Sequence, residues 1–287
     1  MSITRRNFLK ATGASAAALS LAACSTSSTA TELKVAVPND TTNEARALIL
    51  LEKNGFFTLE EGVTITATKN NIAENPLNIT IDEIEAAQIP NILQDEDYAV
   101  INSNYAISAG MNPVEDALAM EDSTSDYVNI LVCRTGEEDT DIIKAVVAAI
   151  TSQTVADFID ETYGGSVVSA VDAPTDGYDA SIDYDALNGT TVTCGASPAP
   201  HCEILEVAAE LLEAKGITLV IQEYTDYIIP NTVVDDGTIE CNFFQHVPYL
   251  DEFNVSYGTS LVSAAGVHVE PMGIYGGKQS DLSPING

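Results

Sequence analysis

The stretch LKVAVPNDTTNEARALILLEKNG, residues 33–55, decides the fold. Leu33 to Val37 is a short apolar run that stops at Pro38, as a buried strand does. Helix-start chemistry follows at once, with Thr41 and Glu44 at capping-box spacing. A helix then carries Ala45, Leu48, Ile49 and Leu51 on one side and ends near Asn54-Gly55. Strand, tight turn and helix form the unit of an α/β sheet. This unit places Arg46 just past the C-terminal end of a strand, the edge where open α/β sheets bind ligands and helix N-termini favour anions. With Asn43 beside it, Arg46 is a candidate anion clamp. The plainer reading is a surface arginine paired with one of many carboxylates.

Working outward, the alternation repeats. Ile79 to Glu85 reads as a strand, 86–93 as a short helix, and Tyr98 to Ile101 as a buried strand. That strand runs into Asn102-Ser103-Asn104-Tyr105, where two asparagines are placed to bind a carboxylate or an ammonium, or simply to form a turn. Val128 to Arg134 is a further strand, and Asp139 to Tyr163 one long amphipathic helical segment. Residues 172–188 are acidic and unperiodic, the character of a linker. A second series follows: strands at 191–195, 219–224 and 239–244, helices at 201–215 and 249–257, and closing segments at 267–270 and 273–275. The alternation predicts two α/β lobes with mixed or parallel sheets.

Residues 239–275, IECNFFQHVPYLDEFNVSYGTSLVSAAGVHVEPMGIY, gather aromatics in a chain with no tryptophan. Phe243, Phe244, His246, Tyr249, His268 and Tyr275, with Tyr227 upstream, are candidates to line a small apolar pocket. Core packing is the competing assignment for Phe243 and Tyr249.

Charge excludes one class of function. The chain holds 11 Lys+Arg against 43 Asp+Glu, a net charge of −32. Nucleic-acid binding needs basic clusters, and none is present. Three of the basic residues, Arg5, Arg6 and Lys10, lie in a twin-arginine pattern that precedes a mild apolar run. That run is too short to span a bilayer, for which about 20 apolar residues are needed. Leu21-Ala22-Ala23-Cys24 reads as a lipobox, so residues 1–23 are expected to be a cleaved signal and 24–31 a tether lipidated at Cys24. Cys133, Cys194, Cys202 and Cys241 remain, able to pair outside the cell or to sit as buried thiols. No Cys/His spacing suggests a zinc site.

Laid end to end, these segments resemble the NlpA-type methionine-binding lipoproteins of methionine ABC importers. The resemblance rests on VPNDTTNEARALILL (37–51), EIEAAQIPNIL (83–93), AVINSNYAISAGM (99–111), GASPAPHCEIL (195–205), EYTDYIIPN (223–231), IECNFFQHVPYLDEF (239–253) and VHVEPMGIY (267–275). It implies a two-lobed, periplasmic-binding-protein-like (type II) α/β fold with a cleft between the lobes. The motifs stand in an unusual order, with the family's second half first. The chain therefore reads as circularly permuted through 166–189, the rival account being a join between parts of two adjacent copies. One lobe is then expected to comprise 32–112 plus 276–287, and the other 113–275.

The resemblance also implies a role: a lipid-anchored protein on the extracytoplasmic face of the cell membrane, working with an ABC importer permease and its ATPase. The expected ligand is L-methionine or a close relative such as D-methionine, its sulfoxide or a dipeptide. Arg46 would grip the carboxylate, Asn102, Asn104 and Asn43 would complete the polar end, and the aromatic set would receive the thioether. Neither cofactor nor catalysis is expected, because no nucleophile–base pattern or phosphate loop stands out. The alternative is a zinc-type binding protein using His201, His246, His268 and Glu270.

Overall fold

A computed structural model of the protein describes residues 32–122 and 127–286. The twin-arginine motif, Cys24 and the tether lie outside the described residues. Among the described residues no helix is long and apolar enough to cross a membrane.

The chain opens with β1 (Leu33–Pro38), α1 (Thr41–Lys53), β2 (Thr58–Leu59), β3 (Ile72–Glu74), β4 (Ile79–Ile84) and α2 (Ile89–Ile92). It continues through β5 (Tyr98–Ile101), α3 (Ser103–Ser108), α4 (Pro113–Asp116), β6 (Ala117–Met120), β7 (Val128–Arg134), α5 (Asp141–Ile150) and α6 (Gln153–Tyr163). Next come β8 (Val168–Ser169), α7 (Tyr184–Leu187), β9 (Thr191–Ala196), α8 (Glu203–Glu213), β10 (Thr218–Glu223) and α9 (Ile229–Asp235). The last elements are β11 (Cys241–His246), α10 (Val247–Tyr257), β12 (Leu261–Val269), β13 (Gly273–Gly276) and α11 (Ser283–Asn286).

Two sheets carry the fold. The five-stranded sheet has the order β4-β1-β5-β13-β6, and the six-stranded sheet β10-β9-β11-β7-β12-β8. β1 lies between β4 and β5 and is parallel to both, while β13 is antiparallel to β5 and β6. In the larger sheet β9 is parallel to β10 and β11, and β7 is antiparallel to β11 and β12. Each sheet is covered on both faces, which is why β1, β5 and β7 read as continuous apolar runs. The two α/β lobes expected from the alternation are present.

The chain crosses between the sheets twice, from β6 to β7 and from β12 to β13. This corrects the expected boundary. α4, β6 and residues 273–275 of β13 fall within 113–275 but belong with the first lobe, because Gly273 to Gly276 pair with Ile101 to Tyr98 and Gly273 to Tyr275 with β6. Residues 277–286 complete the same lobe: Ile285 packs in one core with Leu33, and the Tyr98 hydroxyl donates to the Asp281 carbonyl at 2.8 Å. Only glycine fits at 277, where a Cβ would lie 2.0 Å from the Leu93 carbonyl oxygen.

Three local expectations also change. The helical segment 139–163 is two helices, broken at Thr151-Ser152, where the Ser152 hydroxyl caps α6 by accepting from Val155 N–H. α1 is capped by Asp40, not Thr41, and Glu44 instead accepts from Lys69 N–H at 2.9 Å. The linker 166–189 is packed: β8 extends the six-stranded sheet, and Val167 and Ile182 are buried in the adjoining core. All four described cysteines are free thiols, Cys133, Cys194 and Cys241 within sheet cores.

Candidate functional site

Between the two sheets lies a narrow cleft, lined on one side by Asn43, Arg46, Asn102, Ser103 and Asn104. Across it stand Asn129, Tyr227, Phe244, Gln245, His246 and Tyr249, with Glu270 of the second crossing between them. The first wall is built where the strand–helix units predict, at the ends of β1 and β5. Asn102 caps α3 positionally, and its Nδ2 donates to Asn43 Oδ1 at 2.9 Å, while Asn43 Nδ2 is held by Asp40. Among the described residues, this chain of amides leaves two buried polar atoms without a protein partner at the cleft, Asn102 Oδ1 and Asn104 Nδ2. One is an acceptor and the other a donor. Buried groups of this kind cost stability unless something meets them.

The second wall depends on a bulge. Phe243 pairs with Leu131 and Gln245 with Ile130, so Phe244 is an extra residue in β11. In a regular strand consecutive side chains point to opposite faces; the bulge lets Phe244, Gln245 and His246 all reach the cleft. Tyr227, Phe244 and Tyr249 form an aromatic box, their centroids 5.7–6.0 Å apart. Tyr227 also crosses the cleft, its hydroxyl donating to Asn104 Oδ1 at 2.8 Å. Gln245 is held rigidly by Asn231 and Asn242, both fully buried.

Three predicted pocket residues are elsewhere. Phe243, on the opposite strand face, is in the core beneath the six-stranded sheet. Tyr275 packs with Ala36, Ile101 and Tyr105 under the first wall. His268 sits behind Glu270, its Nε2 2.6 Å from Glu270 Oε1. Their period-two positions put them on the wrong faces.

Arg46 reaches the cleft but is already engaged. Its Nε lies 2.8 and 2.9 Å from the two Glu121 oxygens, and its Nη2 2.5 Å from Oε2. Nη2 also donates to the Glu270 carbonyl at 2.8 Å, and the guanidinium lies over the Tyr127 ring at 4.3 Å. Nη1 is the nitrogen these bonds do not use. Glu121 sits at the end of β6, where it exchanges hydrogen bonds with Met272: Glu121 N–H to the Met272 carbonyl, and Met272 N–H to Oε2, each 2.9 Å. Arg46 thus fastens both chain crossings.

Behind Glu270, His201 and His268 complete a buried set whose ligand atoms lie within 4.8 Å of one another. His246 is not part of it; its Nδ1 accepts from Tyr249 N–H at the start of α10. The three residues could offer a metal three ligands, but they already form hydrogen bonds. Both histidines place Nε2 on Glu270 Oε1, at 2.6 and 3.2 Å, and His201 Nε2 also meets Asn129 Oδ1 at 3.0 Å. Ligands around a tetrahedral zinc, about 2.0–2.1 Å from the metal, stand more than about 3 Å apart. The 2.6 Å pair is a hydrogen bond, not a ligand edge. Burial holds both histidines neutral, down to about 3, the loss at His201 being opposed by Glu270. Burial likewise pushes the Glu270 carboxyl up, against the pull of His201 and Arg46. Burial and the nearby Arg46 keep His246 neutral too.

These shifts set a pH dependence. A histidine whose folded value lies below its unfolded value takes up a proton on unfolding, so stability is full above the unfolded value and falls on acidification. Glu270, Asp40, Glu44 and Glu96, all raised in the fold chiefly by burial, act in the opposite direction and offset part of the slope set by the three histidines. Denaturant unfolding is expected to weaken between about pH 6.5 and 5, by up to roughly 1.4 kcal/mol per pH unit for each histidine. His268→Gln should flatten that slope; an unchanged slope would remove the histidine from the account.

Sequence reasoning missed Glu121, Asn129 and Gln245. Asn129 and Gln245 carry a readable signal, a polar side chain inside an apolar strand.

A model of the NlpA lipoprotein family matches residues 24–171 and 192–287. The chain belongs to the NlpA lipoprotein family. Residues 2–22 also match the twin-arginine translocation signal. Relatives of this NlpA lipoprotein include the D-methionine-binding lipoprotein MetQ of Escherichia coli (strain K12), 40% identical over 137 residues, which are 47% of this chain and 51% of that one. The membrane lipoprotein TpN32 of Treponema pallidum (strain Nichols) is 41% identical over 138 residues, 48% of this chain and 52% of the other. The NlpA lipoprotein thus spans about half the length of the curated relatives it matches. Among solved structures, a nutrient binding protein from Burkholderia cenocepacia bound to methionine shares 43% identity over 48% of this chain and 58% of that chain, with a TM-score of 0.47.

Proposed function

We propose that this protein is a non-enzymatic, extracytoplasmic substrate-binding lipoprotein, anchored through Cys24, that captures methionine or a close analogue for an ABC importer. The observation that carries the reading is the division of the cleft: unpaired polar atoms on one wall and an aromatic box on the other. A zwitterion's carboxylate fits the donors Asn104 Nδ2 and Arg46 Nη1, and its ammonium the acceptors Asn102 Oδ1 and Glu270. Sulfur–aromatic contacts with Tyr227, Phe244 and Tyr249 contribute roughly 0.3–1.5 kcal/mol each. A ligand touching both walls favours closure, since only it bridges them. Relatives of the chain named as D-methionine-binding lipoproteins support this ligand class.

The same reading includes a rearranged chain order. The family match falls into two blocks separated by 172–191, and segments from both ends of the chain, Leu33 and Ile285, share one core. The expected result is a single cooperative thermal transition that methionine raises, by about 2.7 kcal/mol of added stability at a hundredfold excess over Kd. Calorimetric titration with L- and D-methionine, the sulfoxide and zinc checks it. Stabilisation by zinc without methionine would overturn the ligand, and a non-cooperative melt the rearranged fold.

A further inference from the structure

The charges around the cleft do not balance. Arg46 is the one Lys or Arg among the described residues lining it, and the Glu121 carboxylate already holds Nε and Nη2. Glu121 therefore occupies the place that a ligand carboxylate takes when an arginine is otherwise unpaired. Glu270 adds a second buried carboxylate at the cleft, with its Oε1 on two Nε2 atoms. It accepts from neutral imidazoles, which neutralise nothing. Among the described residues lining the cleft, Arg46 is thus the one cationic side chain, set against two acidic ones, Glu121 and Glu270.

The approach to the cleft has the same sign. A larger open space shares Tyr227 and Tyr249 with it and carries Asp40, Glu85, Asp226 and Glu252, with no Lys or Arg among the described residues lining it. A site with two acidic side chains to one cation, reached past four more acidic residues, attracts a cation and repels a simple anion.

We propose that the cleft selects its ligand on the ammonium group, and that Glu121 sets this preference by serving as Arg46's resident carboxylate. The proposal rests on the amino-acid reading above and adds a ranking to it. A ligand without an ammonium leaves Asn102 Oδ1 unmet and brings its carboxylate beside Glu270 with no cation of its own. One without a carboxylate leaves Arg46 still paired. The two losses are unequal for that reason. Glu121 is a positioning residue, acting through Arg46.

The test is calorimetric titration of the full-length lipoprotein with three probes: L-methionine, L-methioninamide, which lacks the carboxylate, and 4-(methylthio)butanoate, which lacks the ammonium. The amide is expected to bind within about tenfold of methionine, and the butanoate more than about a hundredfold more weakly. Glu121→Gln leaves Arg46 with uncompensated charge and should reverse the order, favouring the butanoate over the amide. A wild-type protein that binds the butanoate as well as the amide overturns the proposal, whether or not the variant folds. An unchanged ranking in a folded Glu121→Gln protein, verified by its melting curve, overturns the role of Glu121. Failure to bind methionine itself is a different result, and it would overturn the amino-acid reading.

Discussion

Arg46→Ala is expected to abolish methionine binding at ordinary concentrations and to lower folding stability by about 3–5 kcal/mol, the usual cost of breaking a buried ion pair from one side. Arg46 is 4% exposed and its Glu121 partner 13%, so water screens little of the loss. Removing the guanidinium strips Glu121 of its bidentate partner, leaves the Glu270 carbonyl without Nη2, and loosens the tie between the two chain crossings. A ligand carboxylate would then face Glu121 with no cation between them. Arg46→Lys keeps the charge but not the fork, so it should recover part of the stability and little of the binding. Glu121→Ala on top of Arg46→Ala should restore stability without restoring affinity, because it removes the stranded charge but supplies no donor. Denaturant unfolding and calorimetric titration of the three variants separate these outcomes. Methionine affinity left intact in Arg46→Ala would sink the proposed site.

The coupling of Arg46 to the crossings also shows how unevenly the site was written in the sequence. Arg46 itself was legible: arginine is scarce here, and the strand–turn–helix spacing of residues 33–55 puts it at a binding edge. Asn102 and Asn104 were legible for the same topological reason, although turn formation explained them equally well until their unpaired atoms were seen. Glu121 was not, since one glutamate among 43 acidic residues carries no local mark, and its partner lies 75 residues away. Asn129 and Gln245 were readable in principle. A polar side chain in an apolar strand is costly to bury without a partner, so each implies one.

Strand allegiance followed the same divide. Tyr98 to Ile101 and Val128 to Arg134 announced themselves as buried runs, but GIYG at 273–276 fits any antiparallel neighbour. Only pairing with β5 and β6 assigns it to the first lobe. The break at Thr151-Ser152 carries no Gly or Pro, and its one local mark is Ser152, which has the chemistry of a cap.

The bulge in β11 was the least legible feature, and it makes the sharpest prediction. Phe243 and Phe244 are adjacent, aromatic and buried, at 0% and 4% exposure, so composition gives them the same role. The extra residue in the strand separates them: Phe243 packs against His201 and His268 at 4.8 and 5.3 Å, behind the cleft, while Phe244 stacks on Tyr227 within it. Phe243→Ala should therefore cost about 3–5 kcal/mol of stability, the loss of burial plus a cavity in a core that cannot collapse around two hydrogen-bonded histidines. Its effect on ligand affinity at a temperature where the variant is folded should be small by comparison. Phe244→Ala is expected to do the reverse, weakening methionine binding by about tenfold or more through the lost sulfur–aromatic and burial contacts, with a smaller fall in stability because its face borders a cleft. Phe244→Leu, which keeps the apolar volume but not the ring, should retain stability and lose part of the affinity. Unfolding curves paired with titrations of each variant decide the matter. If Phe243→Ala proves the binding mutant and Phe244→Ala the stability mutant, the bulge is one residue out of place and both Gln245 and His246 turn away from the cleft with it.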